Sequence, residues 1–158
     1  MLNDEWHDAD RPIEPAGPFV SACLSGLALA LLAVGVVSGT FIRHVVQILP
    51  IVMAAFVLQR RSAVGAYAAL PLFVFWIAIV MLIWLFLLGL SRIANGQFTS
   101  IEILLTVVMA ACCAAGIFKS VPLGRSLSAG RRAATFVLFA ALQVAAMWVS
   151  FLRPIANR

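Results

Sequence analysis

The sequence PLFVFWIAIVMLIWLFLLGL, residues 71–90, decides the fold class of this 158-residue chain. It contains no charged, amide or hydroxyl side chain over twenty residues. An α-helix of that length is about 30 Å long, which is the thickness of the hydrocarbon core of a bilayer. A chain of this size has too little interior to surround such a helix on every side. The stretch therefore predicts a transmembrane helix.

The composition of the whole chain supports this assignment. Hydrophobic residues make up 64% of the chain and charged residues 11%, whereas soluble domains have about 45–50% and about 25%. The net charge is +5, and an excess of Lys and Arg in a membrane protein is first a topology signal. We therefore expect an integral membrane protein that contacts membrane lipids and binds no nucleic acid.

The first residues of the chain are polar and acidic. Residues 1–17 hold five acidic side chains and one arginine, and Pro12, Pro15 and Pro18 block a continuous helix. Because this start is acidic and a long apolar run follows it, we expect no cleavable signal peptide. We predict a flexible acidic tail at residues 1–17, a single transmembrane helical domain at 18–153 and a short C-terminal tail at 154–158.

Five apolar segments follow the tail. Their approximate bounds are residues 19–39, 41–58, 66–90, 99–118 and 133–152. The second segment is short, because Arg43, His44 and Gln47 lie near its start and Pro50 lies in its middle. We predict an all-α, polytopic membrane helix bundle with five transmembrane helices. The alternative has four such helices and one re-entrant segment at residues 41–58.

The Lys and Arg residues predict the orientation of the bundle. If all five segments cross, seven basic residues lie on one side and four on the other. We expect a protein of the bacterial inner membrane, with basic loops 59–66 and 119–132 in the cytoplasm and the C-terminus in the periplasm. In the four-crossing alternative only the N-terminal tail changes side. The side chains expected to contact lipid headgroups are Arg60, Arg61, Lys119, Arg125, Arg131 and Arg132.

Small residues at helical spacing predict where helices pack. They let helix backbones approach closely, which matters in lipid because the hydrophobic effect does not attract one helix to another. Residues 71–90, in contrast, are bulky apart from Ala78 and Gly89. We therefore expect that stretch to form a peripheral helix with a broad face toward lipid or a partner subunit. The predicted packing residues are Ala22, Gly26, Ala30, Gly35, Gly39 and Gly116.

A group of polar side chains is expected at one rim of the bundle. An Arg43–Glu102 pair there would be less screened than in water and suits an anion or a quinone headgroup. The structural explanation is that Arg43 and His44 reach the headgroups while Thr99 and Glu102 form a capping box. Farther along, Gln143 predicts an interhelical hydrogen bond. The candidate polar cluster comprises Arg43, His44, Gln47, Arg92 and Glu102.

Sulfur side chains of two segments are expected at matching depths in the membrane. Such soft ligands suit a thiophilic ion such as Cu(I). Buried cysteine, however, more often behaves as a small apolar residue, and cysteines inside apolar runs do not indicate a disulfide framework. We therefore predict no metal site. The side chains that would form one are Cys23, Met109, Cys112 and Cys113.

The chain contains no motif that indicates catalysis. It lacks HExxH, GxSxG and paired carboxylates, and no acidic or basic residue lies in the middle of any segment, where proton-coupled pumps need one. We predict a non-catalytic accessory, assembly or stabilising subunit of a larger inner-membrane complex, which binds no cofactor and associates with other subunits or with itself. The alternative is a small transporter or channel that uses the candidate polar cluster.

Overall fold

The computed structural model describes residues 16–60, 63–90 and 98–152. A 3-10 turn, Gly124–Ser126, precedes the last helix, and none of the described residues lies in a β-strand. The all-α prediction is confirmed. The helices are α1 (Ala16–Val37), α2 (Phe41–Gln59), α3 (Ala63–Leu87), α4 (Ser100–Leu123) and α5 (Ala129–Ser150).

All five helices are long and apolar enough to cross a membrane. They contain 19 to 25 residues, and the mean hydropathy of their spans lies between 1.8 and 2.8. The 19 residues of α2 correspond to about 28 Å, close to the thickness of the hydrocarbon core. The predicted bundle of five transmembrane helices is confirmed, and the continuity of α2 favours a full crossing over the re-entrant alternative.

Pro50 lies inside α2 without ending it. Proline has no backbone N–H, so the carbonyl of Val46 loses its usual partner in the helix. Transmembrane helices tolerate such positions, because neighbouring groups and small adjustments of the backbone satisfy the freed carbonyl. The proline that shortens the clean apolar run of this segment therefore does not prevent a full-length helix.

Several helix ends differ from the sequence prediction. Helix α1 begins at Ala16, so residues 16–17 belong to the helix and not to the tail. Helix α4 continues to Leu123 and α5 begins at Ala129, which makes most of the basic segment 119–132 helical. The predicted bounds followed apolar composition, whereas a helix continues wherever its N–H groups find carbonyl partners. Residues 1–15 and 154–158 lie outside the described residues.

Helices α2 and α3 form the centre of the bundle. The first four helices form a ring in which each packs against the next and α4 closes against α1. Helix α5 lies outside this ring and packs against both α2 and α3. The antiparallel order places the starts of α1, α3 and α5 at the same end as the ends of α2 and α4. We call this the basic end, because it carries Arg60, Lys119, Arg125, Arg131 and Arg132.

The helix that contains residues 71–90 is central and not peripheral. Ten of its residues between Gly65 and Val80 are buried, and α3 packs against α2, α4 and α5. Beyond Val80 most of its side chains are exposed or half-buried. The expectation of a peripheral helix was wrong, because a helix that is apolar on every side has no polar face to show which side is covered.

Glycines provide the space that the buried first half of α3 needs. A Cβ atom at Gly116 would overlap the ring of Phe73, and one at Gly124 would overlap the ring of Tyr67. At Gly65 it would lie 2.5 Å from the backbone of Leu58 in α2. The contacts of α3 with α2 and with α4 therefore depend on the absence of side chains at these three positions.

The other predicted packing residues occupy different environments. A Cβ atom at Gly26 would lie 2.9 Å from Cys112 Sγ, and one at Gly35 would lie 3.0 Å from His44. Ala30 is buried but Ala22 is exposed. Gly39 lies after the end of α1 with a φ of 66° and has no atom near its Cβ position. It serves the turn into α2, for which glycine is suited, and not helix packing.

We expect Gly116→Ala to destabilise the protein by about 1–3 kcal/mol, because the added methyl group overlaps a fully buried ring. Gly130→Ala is the matched control, since a Cβ atom at Gly130 meets nothing within 4 Å. The measurement is unfolding of the purified protein in detergent micelles. The double variant Gly116→Ala/Phe73→Leu should recover part of the loss. Equal stability of Gly116→Ala and the unmodified protein would contradict this account of the packing.

Candidate functional site

Buried polar side chains meet between the start of α2 and the end of α5. Gln47 is 4% exposed and Ser150 is fully buried. The Nε2 group of Gln47 donates hydrogen bonds to Ser150 Oγ at 2.9 Å and to Met147 Sδ at 3.3 Å. Because α2 and α5 are antiparallel, the side chain near the start of one reaches the last turn of the other.

Gln143 joins the same group from two turns earlier in α5. Its Nε2 group donates to the backbone carbonyl of Gln47 at 3.2 Å, so the predicted interhelical hydrogen bond is confirmed. Its Oε1 atom is buried and has no hydrogen-bond partner among the described residues. We call Gln47, Gln143 and Ser150 the glutamine cluster. The cluster fixes α5 to α2 by polar contacts on one face of each helix.

Arg43 and His44 lie in the first turn of α2, close to the glutamine cluster in sequence. The guanidinium carbon of Arg43 is 4.3 Å from the centre of the Phe151 ring, a cation–π distance. The Nδ1 atom of His44 lies 3.0 Å from the backbone carbonyl oxygen of Thr40 and 3.2 Å from its hydroxyl. Both side chains therefore contact groups at the rim of the bundle.

Glu102 forms its hydrogen bonds within the first turn of α4. Its Oε2 atom accepts from the backbone N–H of Thr99 at 2.7 Å and from the Thr99 hydroxyl at 2.9 Å. In return, the backbone N–H of Glu102 donates to Thr99 Oγ1. These contacts are the predicted capping box, which is confirmed.

The structure divides the candidate polar cluster between two places. Arg43 and Gln47 contact α5, whereas Glu102 caps α4. No ion pair links Arg43 to Glu102 in the part of the chain that the structure describes, and Arg92 lies outside that part. The structural explanation of Glu102 therefore agrees with its contacts, and the described members of the cluster do not meet as one set of ligands for an anion or a quinone headgroup.

The sulfur side chains lie at the contact between α1 and α4. Cys23, Met109 and Cys113 are buried, and Cys112 is half-buried against Gly26. All three cysteines are free thiols. Among residues 16–60, 63–90 and 98–152, no three His, Cys, Asp or Glu side chains form a group suited to a metal ion.

The predicted lipid-contact residues that the structure describes all lie at the basic end. The guanidinium carbon of Arg60 is 5.1 Å from the centre of the Phe56 ring, and Lys119 Nζ is 5.9 Å from that of Phe19. Arg125 and Arg131 are exposed, and Arg132 is half-buried. Arg61 lies outside the described residues. The cations are therefore spread around this end of the bundle.

Two polar contacts were not predicted from the sequence. Trp84 Nε1 donates to Thr106 Oγ1 at 2.9 Å, and that hydroxyl donates to the carbonyl of Ile103. Ser150 completes the glutamine cluster. Ser150 lies seven residues, or two helical turns, after Gln143. This spacing places both side chains on one face of α5 and is the sequence pattern from which their grouping could have been predicted. No comparable spacing links Trp84 to Thr106, because they lie on different helices.

Comparisons of the chain with protein-family models, with curated proteins and with solved structures give no match.

We expect Gln47→Leu to destabilise the protein by about 0.6–1.7 kcal/mol, the range for hydrogen bonds between membrane helices. Combined with Ser150→Ala, its effect should be less than additive, because both changes remove the same hydrogen bond. The control pair is Gln47→Leu with Thr106→Val, whose effects should add, since Thr106 bonds to Trp84 instead. Unfolding in detergent micelles measures all variants. Strict additivity of the first pair would contradict the proposed bond.

Proposed function

We propose that this protein is a non-catalytic accessory, assembly or stabilising subunit of a larger complex in the bacterial inner membrane. It acts by packing a helix face against another membrane protein. The observation that carries the proposal is the outward face of α5. The five apolar helices establish an integral membrane protein, and the role of subunit is our proposal.

The outward face of α5 combines small residues with two exposed large ones. At 100° per residue its members fall within an arc of about 80°. The buried residues Thr135, Phe139 and Gln143 lie on the opposite side of the helix. All members of the face are exposed, with Val137 at 65% and Trp148 at 73%. We define the small-residue face of α5 as Gly130, Ala134, Val137, Ala141, Ala145 and Trp148.

Such a face is suited to another transmembrane helix. Small residues allow two backbones to approach closely and gain packing contacts that lipid chains do not provide. Ala141 and Ala145 have the four-residue spacing of small-xxx-small interfaces. Trp148, near the end of the helix, adds a large ring at the rim, where aromatic side chains are favoured. The partner that fits is a helix with small residues of its own.

The internal contacts of the bundle also support a packing role. Most polar groups of the glutamine cluster, the Thr99–Glu102 capping box and the Trp84–Thr106 pair hydrogen-bond to one another. Gln143 Oε1 is an exception among them, because it has no partner in the described residues. A transporter or channel would need polar groups that line a path or a binding site. Since Glu102 caps α4 and Arg43 contacts Phe151, the contacts favour the packing role over the transport alternative.

The basic end is proposed to face the cytoplasm. The described helix ends and connections there carry Arg60, Lys119, Arg125, Arg131 and Arg132, whereas Arg43 lies at the other end. Lys and Arg near the ends of membrane helices favour the cytoplasmic side. This orientation places the end of α5, with Trp148, on the periplasmic side.

The partner is tested by purification from native membranes in mild detergent. We expect another membrane protein to co-purify in fixed proportion, and Ala141→Phe to reduce its yield at least about tenfold, because the ring prevents close approach of the helices. Ala111→Phe is the matched control, since Ala111 is an exposed alanine on α4. A lone monomer without a co-purifying protein, or equal effects of the two variants, would contradict the proposal.

The orientation is tested with single cysteines in a variant whose Cys23, Cys112 and Cys113 are alanine. Ser126 is exposed at the basic end and Ser38 is exposed at the other. We expect a membrane-impermeant maleimide to label Ser38→Cys in spheroplasts and Ser126→Cys only after lysis. The opposite pattern would reverse the proposed orientation.

A further inference from the structure

An open groove runs between α1 and α2 in the half of the bundle near the basic end. Its volume is about 200 Å³, larger than the roughly 150 Å³ cavity that accepts a benzene molecule. Its walls are mainly apolar, and Ser25 and Gln59 add polar groups. We call it the α1–α2 groove. Its other lining residues are Leu24, Ala28, Ile51, Val52, Ala55 and Phe56.

The groove lies within one leaflet of the membrane. From Ile51 to Gln59 the helix rises about 12 Å, and half of the hydrocarbon core is about 15 Å thick. Val52 and Phe56 are 52% and 56% exposed, so the groove opens sideways toward lipid.

One end of the groove carries a positive charge. Gln59 lines that end, and Arg60 holds its guanidinium group over the ring of Phe56, which also lines the groove. Glu102 is the only carboxylate side chain among the described residues, and it bonds to Thr99 in α4. Arg60 therefore has no carboxylate partner in the described part of the chain.

We propose that the α1–α2 groove binds one anionic phospholipid of the leaflet at the basic end. One acyl chain lies against Leu24, Ala28 and Ile51, and the phosphate contacts Arg60 and the amide of Gln59. An arginine provides planar N–H donors that match phosphate oxygens, and basic residues at the membrane surface favour anionic lipid. The apolar walls and the cation at the headgroup level thus fit the two parts of one molecule.

This site is independent of the proposed subunit contact. Helix α5 packs against α2 and α3 and contributes no residue to the groove. A failure of the α5 variants to release a partner would leave the lipid site unaffected, and the reverse also holds.

The site is tested by native mass spectrometry of the delipidated full-length protein, titrated with phosphatidylglycerol or phosphatidylcholine. We expect Arg60→Gln to weaken the first phosphatidylglycerol bound by about fivefold. The matched control, Arg125→Gln, removes the same charge at the same end and should change that affinity by less than about twofold. Phosphatidylcholine, whose choline neutralises the phosphate charge, should bind more weakly than phosphatidylglycerol.

The apolar part of the site is tested by filling the groove. Ala55→Phe should reduce binding of the first phosphatidylglycerol by at least about fivefold, whereas Ala111→Phe on α4 should not. Ser25→Phe, at an exposed position of the groove, is the second filling variant if Ala55→Phe does not fold. Equal losses for Arg60→Gln and Arg125→Gln, or no effect of the filling variants, would overturn the proposal. A protein dimer that Ala55→Phe dissociates would assign the groove to a second copy instead.

Discussion

The fit of aromatic rings in α3 to glycines in its neighbours is the contact on which the rest of the bundle depends. Lipid chains are as apolar as leucine, so membrane helices gain no hydrophobic attraction by leaving lipid for one another. The attraction between the helices must therefore come from close packing of complementary shapes. Phe73 fits against Gly116, and Tyr67 fits against Gly124. These contacts place α3 beside α4 and the 3-10 turn that follows it, and α5 packs on another side of α3.

The bilayer imposes a second constraint, which acts on the polar groups inside the bundle. An unpaired hydrogen-bonding group in hydrocarbon costs several kcal/mol, so each tends to find a partner within the protein. Gln47 finds Ser150 on α5, and Trp84 finds Thr106 on α4. These bonds fix which faces meet, where apolar contacts alone are less selective.

The sequence predicted local features of the structure well. It did not predict which helices lie next to one another. Hydrophobic length predicted five helices, and the Thr99–Glu102 spacing predicted the capping box, because both depend on residues close in the chain. The central position of α3 was missed, since its uniform apolar surface carries no directional signal. The sequence also grouped Gln47 with Glu102, whereas the hydrogen bond of Gln47 goes to Ser150 on α5. A polar residue shows that it needs a partner, but the rotation of two helices decides which one.

The two surfaces proposed to bind other molecules differ in shape and charge. This difference suits one surface to a protein partner and the other to a lipid. The small-residue face of α5 exposes mostly small side chains, and we propose that it packs against another helix. The α1–α2 groove is mainly apolar and ends near the cation Arg60, which suits a flexible chain with an anionic head. A lipid in that groove would cover α1 and α2 without touching α5. We therefore propose that a lipid bound in the groove leaves the last helix free to join a complex.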